Sequence, residues 1–162
     1  MRIGEIAILG SENEIKKRFI KTVCDEIKIQ NDSLIFGKLA VNRQLLLHLY
    51  GLNISGHNLQ LAWDLVSRKL LGYIVLFDWN NLESYTAAKS TIDFVTSHYD
   101  LPLVVAANLN QPSKNVSGPL LNANISVEKQ TYFTFCRIAE PRSAKNVLLI
   151  LVDSVIERLN QH

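Results

Sequence analysis

The sequence predicts an α/β protein: a six-stranded, mostly parallel sheet with one antiparallel edge strand and helices on both faces. Three observations point there. Short apolar runs alternate with amphipathic segments along the chain, the pattern of βα units wound into a parallel sheet. Two of the runs, LGYIVLFD (71–78) and LPLVVAAN (101–108), are nearly unbroken, as in strands buried on both faces. Two earlier runs, SLIFGKLAV (33–41) and QLLLHLY (44–50), stand only Asn42-Arg43 apart. That break reads as a hairpin and supplies the antiparallel strand.

The elements follow in order. IGEIAIL (3–9) is apolar, ends at Gly10, and reads as a strand. ENEIKKRFIKTVCDEI (12–27) sets Ile15, Phe19, Ile20, Val23, Cys24 and Ile27 at helical spacing with Lys and Arg between them. Glu12 and Glu14 fall in its first turn, where the helix dipole favours acids. The hairpin comes next, then a helix over HNLQLAWDLVSRKL (57–70) and the buried strand 71–78. Residues 83–98 form an amphipathic helix with Tyr85, Ala88, Ile92, Phe94 and Val95 as core candidates. The buried strand 101–108 follows, then a loop-rich stretch at 111–126 and a strand at QTYFTFCRI (130–138). SAKNVLLILVDSVIERL (143–159) closes as a helix, with Ser143 as its cap and Pro141 just ahead. No repeat or linker interrupts the chain, so 1–162 reads as one domain.

Bulk properties narrow the function. At 162 residues with 48% hydrophobic and 20% charged residues, the chain can bury a full core without staples. A net charge of +2, spread along the chain, argues against nucleic acid. Cys24 and Cys136 both sit in apolar periodic segments and read as buried free thiols. His48, His57, His98 and His162 lack ligand spacing, so no metal site is expected. The opening run carries Glu5 without a cleavage site. No apolar run approaches the roughly 18 residues of a membrane helix. The expectation is a cytoplasmic protein without membrane insertion.

Ligands of such sheets bind beyond the carboxyl ends of the strands. The loops after Leu9, Tyr50, Asp78 and Asn108 therefore hold the chemistry. The first, AILGSENEIKKRF (7–19), has the rhythm of a phosphate-binding loop: strand, glycine, four residues, basic helix.

Beyond that loop, several stretches match in register over nearly the whole chain: FIKTV (19–23), IFGKLAV (35–41), LLLHLYG (45–51), AWDLVSRKLLGYIVLFD (62–78), LESY (82–85), LPLVVAAN (101–108) and NVLLILVDSV (146–155). On these the chain resembles the Ras-like small GTPases, specifically the bacterial branch similar to the signal-recognition-particle receptor β subunit and the gliding-motility GTPases. The resemblance implies a three-layer P-loop NTPase fold of the small G protein type. It also names positions to compare.

The family's phosphate loop is Gly, four residues, Gly-Lys-Ser/Thr. Here it reads Gly10-Ser11-Glu12-Asn13-Glu14-Ile15-Lys16-Lys17. Gly10 and Lys16 remain. Ile15 replaces the glycine that lets backbone N–H groups curl around phosphate. Lys17 cannot hold magnesium. Glu12 and Glu14 bring negative charge to a site that works by positive potential. Lys16 alone reads as a solvated lysine on a helix face. Asn31 falls nearest the switch threonine; Ser33 is the alternative hydroxyl there but reads as an exposed strand-start residue. The catalytic glutamine position falls on Gly56 or His57, and His57 is the single candidate to orient a water. The family's Asn-Lys-x-Asp reads Asn108-Leu109-Asn110-Gln111, so the paired acceptor for guanine is gone. SAK (143–145) spells the family's last guanine-loop signature, but the matching position is Arg137-Ile138-Ala139.

Each lost contact is worth about 1–3 kcal/mol, and together they approach the roughly 12 kcal/mol of a nanomolar ligand. The resemblance therefore implies a pseudo-GTPase: the fold kept as an interaction module, without catalysis and without a cofactor. Its implied partner is another protein, of the roadblock or longin type as in the relatives. Leu52, Ile54 and Leu59 are the candidate partner-binding residues, for a regulator or a second copy. The alternative is a divergent switch in which Gly10, Lys16 and Asn108 still hold GTP or GDP with magnesium weakly. Another enzyme class finds no converging nucleophile, base or carboxylate pair.

Overall fold

The computed structural model describes residues 1–31, 34–52, 69–109 and 131–161. Its strands are β1 (Arg2–Leu9), β2 (Glu26–Asn31), β3 (Leu34–Ala40), β4 (Leu45–Leu52), β5 (Leu70–Asp78), β6 (Leu103–Asn108) and β7 (Thr131–Cys136). Among the described residues the helices are α1 (Asn13–Val23), α2 (Leu82–His98) and α3 (Pro141–Asn160). The predicted helix at 57–70 lies outside the described residues except for Lys69 and Leu70, and Leu70 begins β5.

The strands form one mixed sheet in the order β2-β3-β4-β1-β5-β6-β7. That is seven strands, where the sequence predicts six. The added strand is β2, which takes over the end of the segment read as the first helix. That helix stops at Val23, and Cys24 caps it in extended conformation. β3 alone runs against the rest, pairing antiparallel with β2 and β4, while the other pairings are parallel. The antiparallel strand is thus one place in from the edge. The β3–β4 connection is also longer than two residues. The Asn42 side-chain oxygen accepts from the N–H groups of Gln44 and Leu45, an Asx turn that spans 41–44.

Two cores make the layers. On one face Ile6, Ile8, Leu49, Ile74 and Val104 pack against Ile15, Phe19 and Ile20 of α1 and Ala144, Val147 and Leu151 of α3. On the other, Ala7, Leu9, Val75, Phe77, Val105 and Ala107 pack against Ala88 and Val95 of α2. The alternation along β1 and β6 explains why these strands read as continuous apolar runs. α1 crosses β3 closely: a Cβ on Gly37 would lie 2.6 Å from both Cys24 Sγ and Ile20 Cγ2.

Helix α3 begins two residues earlier than the sequence predicts. Pro141 starts it, as proline's fixed φ allows. Ser143 is therefore not its cap, and its Oγ accepts from the Arg137 N–H at 2.8 Å instead. Cys136 is buried and Cys24 half-buried, both free thiols as expected. Among the described residues no group of His, Cys, Asp and Glu could hold a metal. No described helix is long and apolar enough to cross a membrane.

Candidate functional site

β1 lies between β4 and β5. The chain leaves β1 for α1 on one face and leaves β5 for α2 on the other. This is the switch point of the sheet, where the ends of neighbouring strands open a crevice. Gly10 stands at its mouth.

Three residues, Gly10 to Glu12, link β1 to α1. Gly10 is buried with φ +158°, and a Cβ there would sit 2.7 Å from the backbone oxygen of Leu76 in β5. Glu12 is extended (φ −103°, ψ 117°) and α1 begins at Asn13. The Lys16 N–H already donates to the Glu12 carbonyl, at 3.4 Å. The positions that would curl around a phosphate are thus the first turn of a helix. Ile15 explains this. It is 6% exposed and packs in the first core with Phe19 and Val23. Burying such a side chain is worth about 1.5–3 kcal/mol, and it fixes the turn that glycine would leave open.

Lys16 is not the solvated lysine that the sequence suggests. It is 1% exposed, and its Nζ donates to the carbonyl of Leu52 at 2.8 Å. Leu52 ends β4 beside Leu9 of β1. The one retained cation of the loop is therefore anchored to the backbone across the crevice. Burial holds its amine down at about 8, against 10.5 in water.

That depression has a sign. The folded state gives up this proton more readily than the unfolded chain. Stability therefore rises as pH climbs from about 8 toward 10.5. From pH 9 the cysteines oppose it, because burial pushes both thiols up to about 12 from 9.0, with Asp25 adding to Cys24 and Asp78 to Cys136. Between pH 8 and 9 the wild-type chain is expected to gain about 1 kcal/mol relative to Lys16→Met in urea unfolding. Parallel pH curves for the two proteins would contradict a buried, titrating Lys16.

Asn108, at the end of β6, is 3% exposed and works as a brace. Its side-chain N–H donates to Asp78 Oδ1 at the end of β5 (3.0 Å), and its oxygen accepts from the Ile138 N–H after β7 (3.0 Å). Its carbonyl takes the Trp79 N–H, and the Leu109 N–H reaches the Cys136 carbonyl. Three strand ends are tied at one point. Next to it, the Asp78 N–H donates to Ser84 Oγ, and Asn81 caps α2 by accepting from the Ser84 N–H. Leu109, at the position of the family's lysine, packs against the second core.

The structure thus gathers Gly10, Lys16 and the Leu52 backbone at one crevice and sets Asn108 at the neighbouring strand ends. Leu52 is fully buried, which corrects its reading as part of an exposed apolar patch. His57, Ile54 and Leu59 lie outside the described residues, as does Gln111. Sequence reasoning missed Asp78, the carboxylate that Asn108 holds. Its signal was its place, the polar residue that ends a wholly apolar run. A groove of about 760 Å³ opens at the opposite end of the sheet, where Ile3, Leu47, Leu71, Val155 and Leu159 line it. Compared with known proteins, the chain matches no family model and no curated sequence significantly.

Proposed function

We propose that this chain is a pseudo-GTPase: a small G protein-like, P-loop NTPase-type domain that acts through protein–protein contact, with no catalytic turnover and no cofactor. One observation carries the reading. At the switch point Lys16 is buried on the Leu52 carbonyl, within a helix that starts at Asn13. A phosphate there meets neither a nest of N–H groups nor an available ammonium. Binding would require unwinding the first turn, exposing Ile15 and breaking the Lys16 bond. The packing of Leu109 into the core and the use of Asn108 as a brace support the same reading for the base.

A protein partner fits the far end of the sheet, where Ile3, Ile156 and Leu159 are 58%, 49% and 70% exposed around the groove. The roadblock or longin class of partner comes from the family resemblance. Isothermal calorimetry with GTP, GDP and ATP plus magnesium tests the proposal. No binding is expected at or below roughly micromolar concentrations, and a micromolar or tighter Kd would overturn it.

The second reading, a divergent nucleotide switch, has one observation in its favour. Gly10, Lys16 and Asn108 are all in place, and the Lys16 amine is partly neutral near pH 8. An anion there would draw a proton onto it. Nucleotide binding by this route would show a heat that changes with the buffer's ionisation enthalpy.

A further inference from the structure

The sheet ends on β2, whose outer edge meets no other strand among the described residues. A bare edge presents unpaired N–H and C=O groups and is a template for another strand. Proteins commonly block such edges with charge, and β2 is charged. Glu26 and Lys28 are exposed and share one face, while Ile27 between them packs against the first core on the other. Glu26 lies opposite Lys38 of β3, and Lys28 lies opposite Phe36. Lys28 therefore has no carboxylate facing it on β3.

Edge charges prevent self-pairing only where like charges meet. For two identical antiparallel strands, the register is set by the residue that falls opposite itself. With Glu26 at the centre, glutamate faces glutamate. With Lys28 at the centre, lysine faces lysine. A slip of one residue turns Ile27 onto the wrong face. With Ile27 at the centre, Glu26 of each chain faces Lys28 of the other, twice over. The charges of β2 oppose the registers centred on Glu26 and on Lys28 and favour this one over both.

We propose that β2 is a dimerisation edge: two copies of this chain pair antiparallel through β2, centred on Ile27, so that one sheet runs through both. Across the seam the residues read Lys38, Glu26, then Lys28 and Phe36 of the second copy. Each Glu26 thus lies between two lysines, and each Lys28 gains a carboxylate. The outward backbone groups of Glu26 to Lys28 on both strands pair in the same step.

Analytical ultracentrifugation of the full chain over a concentration series tests this, starting from the 18.3 kDa monomer. Wild type is expected to reach twice that mass. Glu26→Lys and Lys28→Glu, each alone, set like charges opposite one another at both places and should weaken the dimer about tenfold or more. Mixing the two variant chains brings opposite charges together again at both places and should restore it. Both positions are exposed, and circular dichroism checks that the variants fold. A wild-type chain that stays monomeric would overturn the proposal. So would single variants that dimerise like wild type, or a mixture no tighter than its components.

Discussion

Gly10→Ala is expected to cost about 3 kcal/mol of stability, read as a lowered urea midpoint at unchanged slope. The added Cβ would stand 2.7 Å from the Leu76 backbone oxygen, a contact that cannot be relieved by turning a side chain. Leu76 is buried near the end of β5, opposite Ala106 of β6 and one residue past the last β1 pair. To move its carbonyl is to disturb the β5–β6 ladder and the core below. The chain must instead shift at the β1–α1 junction, which carries Ile15 and Lys16 out of their seats. The loss is expected with no nucleotide present, because the glycine serves the close approach of two strands. A change below about 1 kcal/mol would mean that the junction is looser than the geometry states.

Asn108→Ala is expected to cost about 2–3 kcal/mol. It strips the Ile138 N–H of its acceptor and Asp78 of a donor, both at the strand ends. Asn108→Asp separates the two halves of the brace. Its oxygen can still accept from Ile138, but it meets Asp78 as a second carboxylate. Like charges raise one carboxyl pKa in the folded state. Such a group stabilises the fold below its ordinary pKa and loses that contribution as pH rises. The Asp variant should therefore approach wild type near pH 4 and fall away by pH 7, whereas the Ala variant stays low at both. Unfolding curves at the two pH values distinguish them. Equal losses for Asp at both would show that the Asp78 contact contributes nothing.

The sheet's interior was legible because its chemistry is redundant. Strands such as 71–78 and 101–108 are apolar on both faces, and no other element of that length suits such a run. The end of α1 was not legible, because two periods overlap there. Ile20, Val23, Cys24 and Ile27 keep helical spacing, while Glu26-Ile27-Lys28-Ile29-Gln30 alternates as a half-buried strand does. Pairing with β3 decides in favour of alternation, and only the fold supplies β3. The site divides the same way. Ile15 and Leu109 announced a departure from the resemblance by their residue type. The fate of Lys16 did not, since a long amphipathic side chain on a helix can end in water or on a distant carbonyl. The carbonyl that takes it belongs to a residue 36 positions away. Leu52 misled for a related reason: an apolar residue beside a loop looks like a surface patch until the strand that contains it is seen to run two residues longer.

The meander of β2, β3 and β4 has one more consequence. A molecular switch needs a segment with two resting places of nearly equal free energy, so that a small ligand can tip it. In this chain the first stretch that the resemblance assigns to that task, 31–37, has its Leu34–Gly37 part stitched into the sheet between β2 and β4. Lifting it would forfeit many ladder bonds at once. A protein that acts as proposed would keep no clock. It would answer to how much of it the cell makes and to what else competes for its surface, and its signal would end only when the complex dissociates or the chain is degraded.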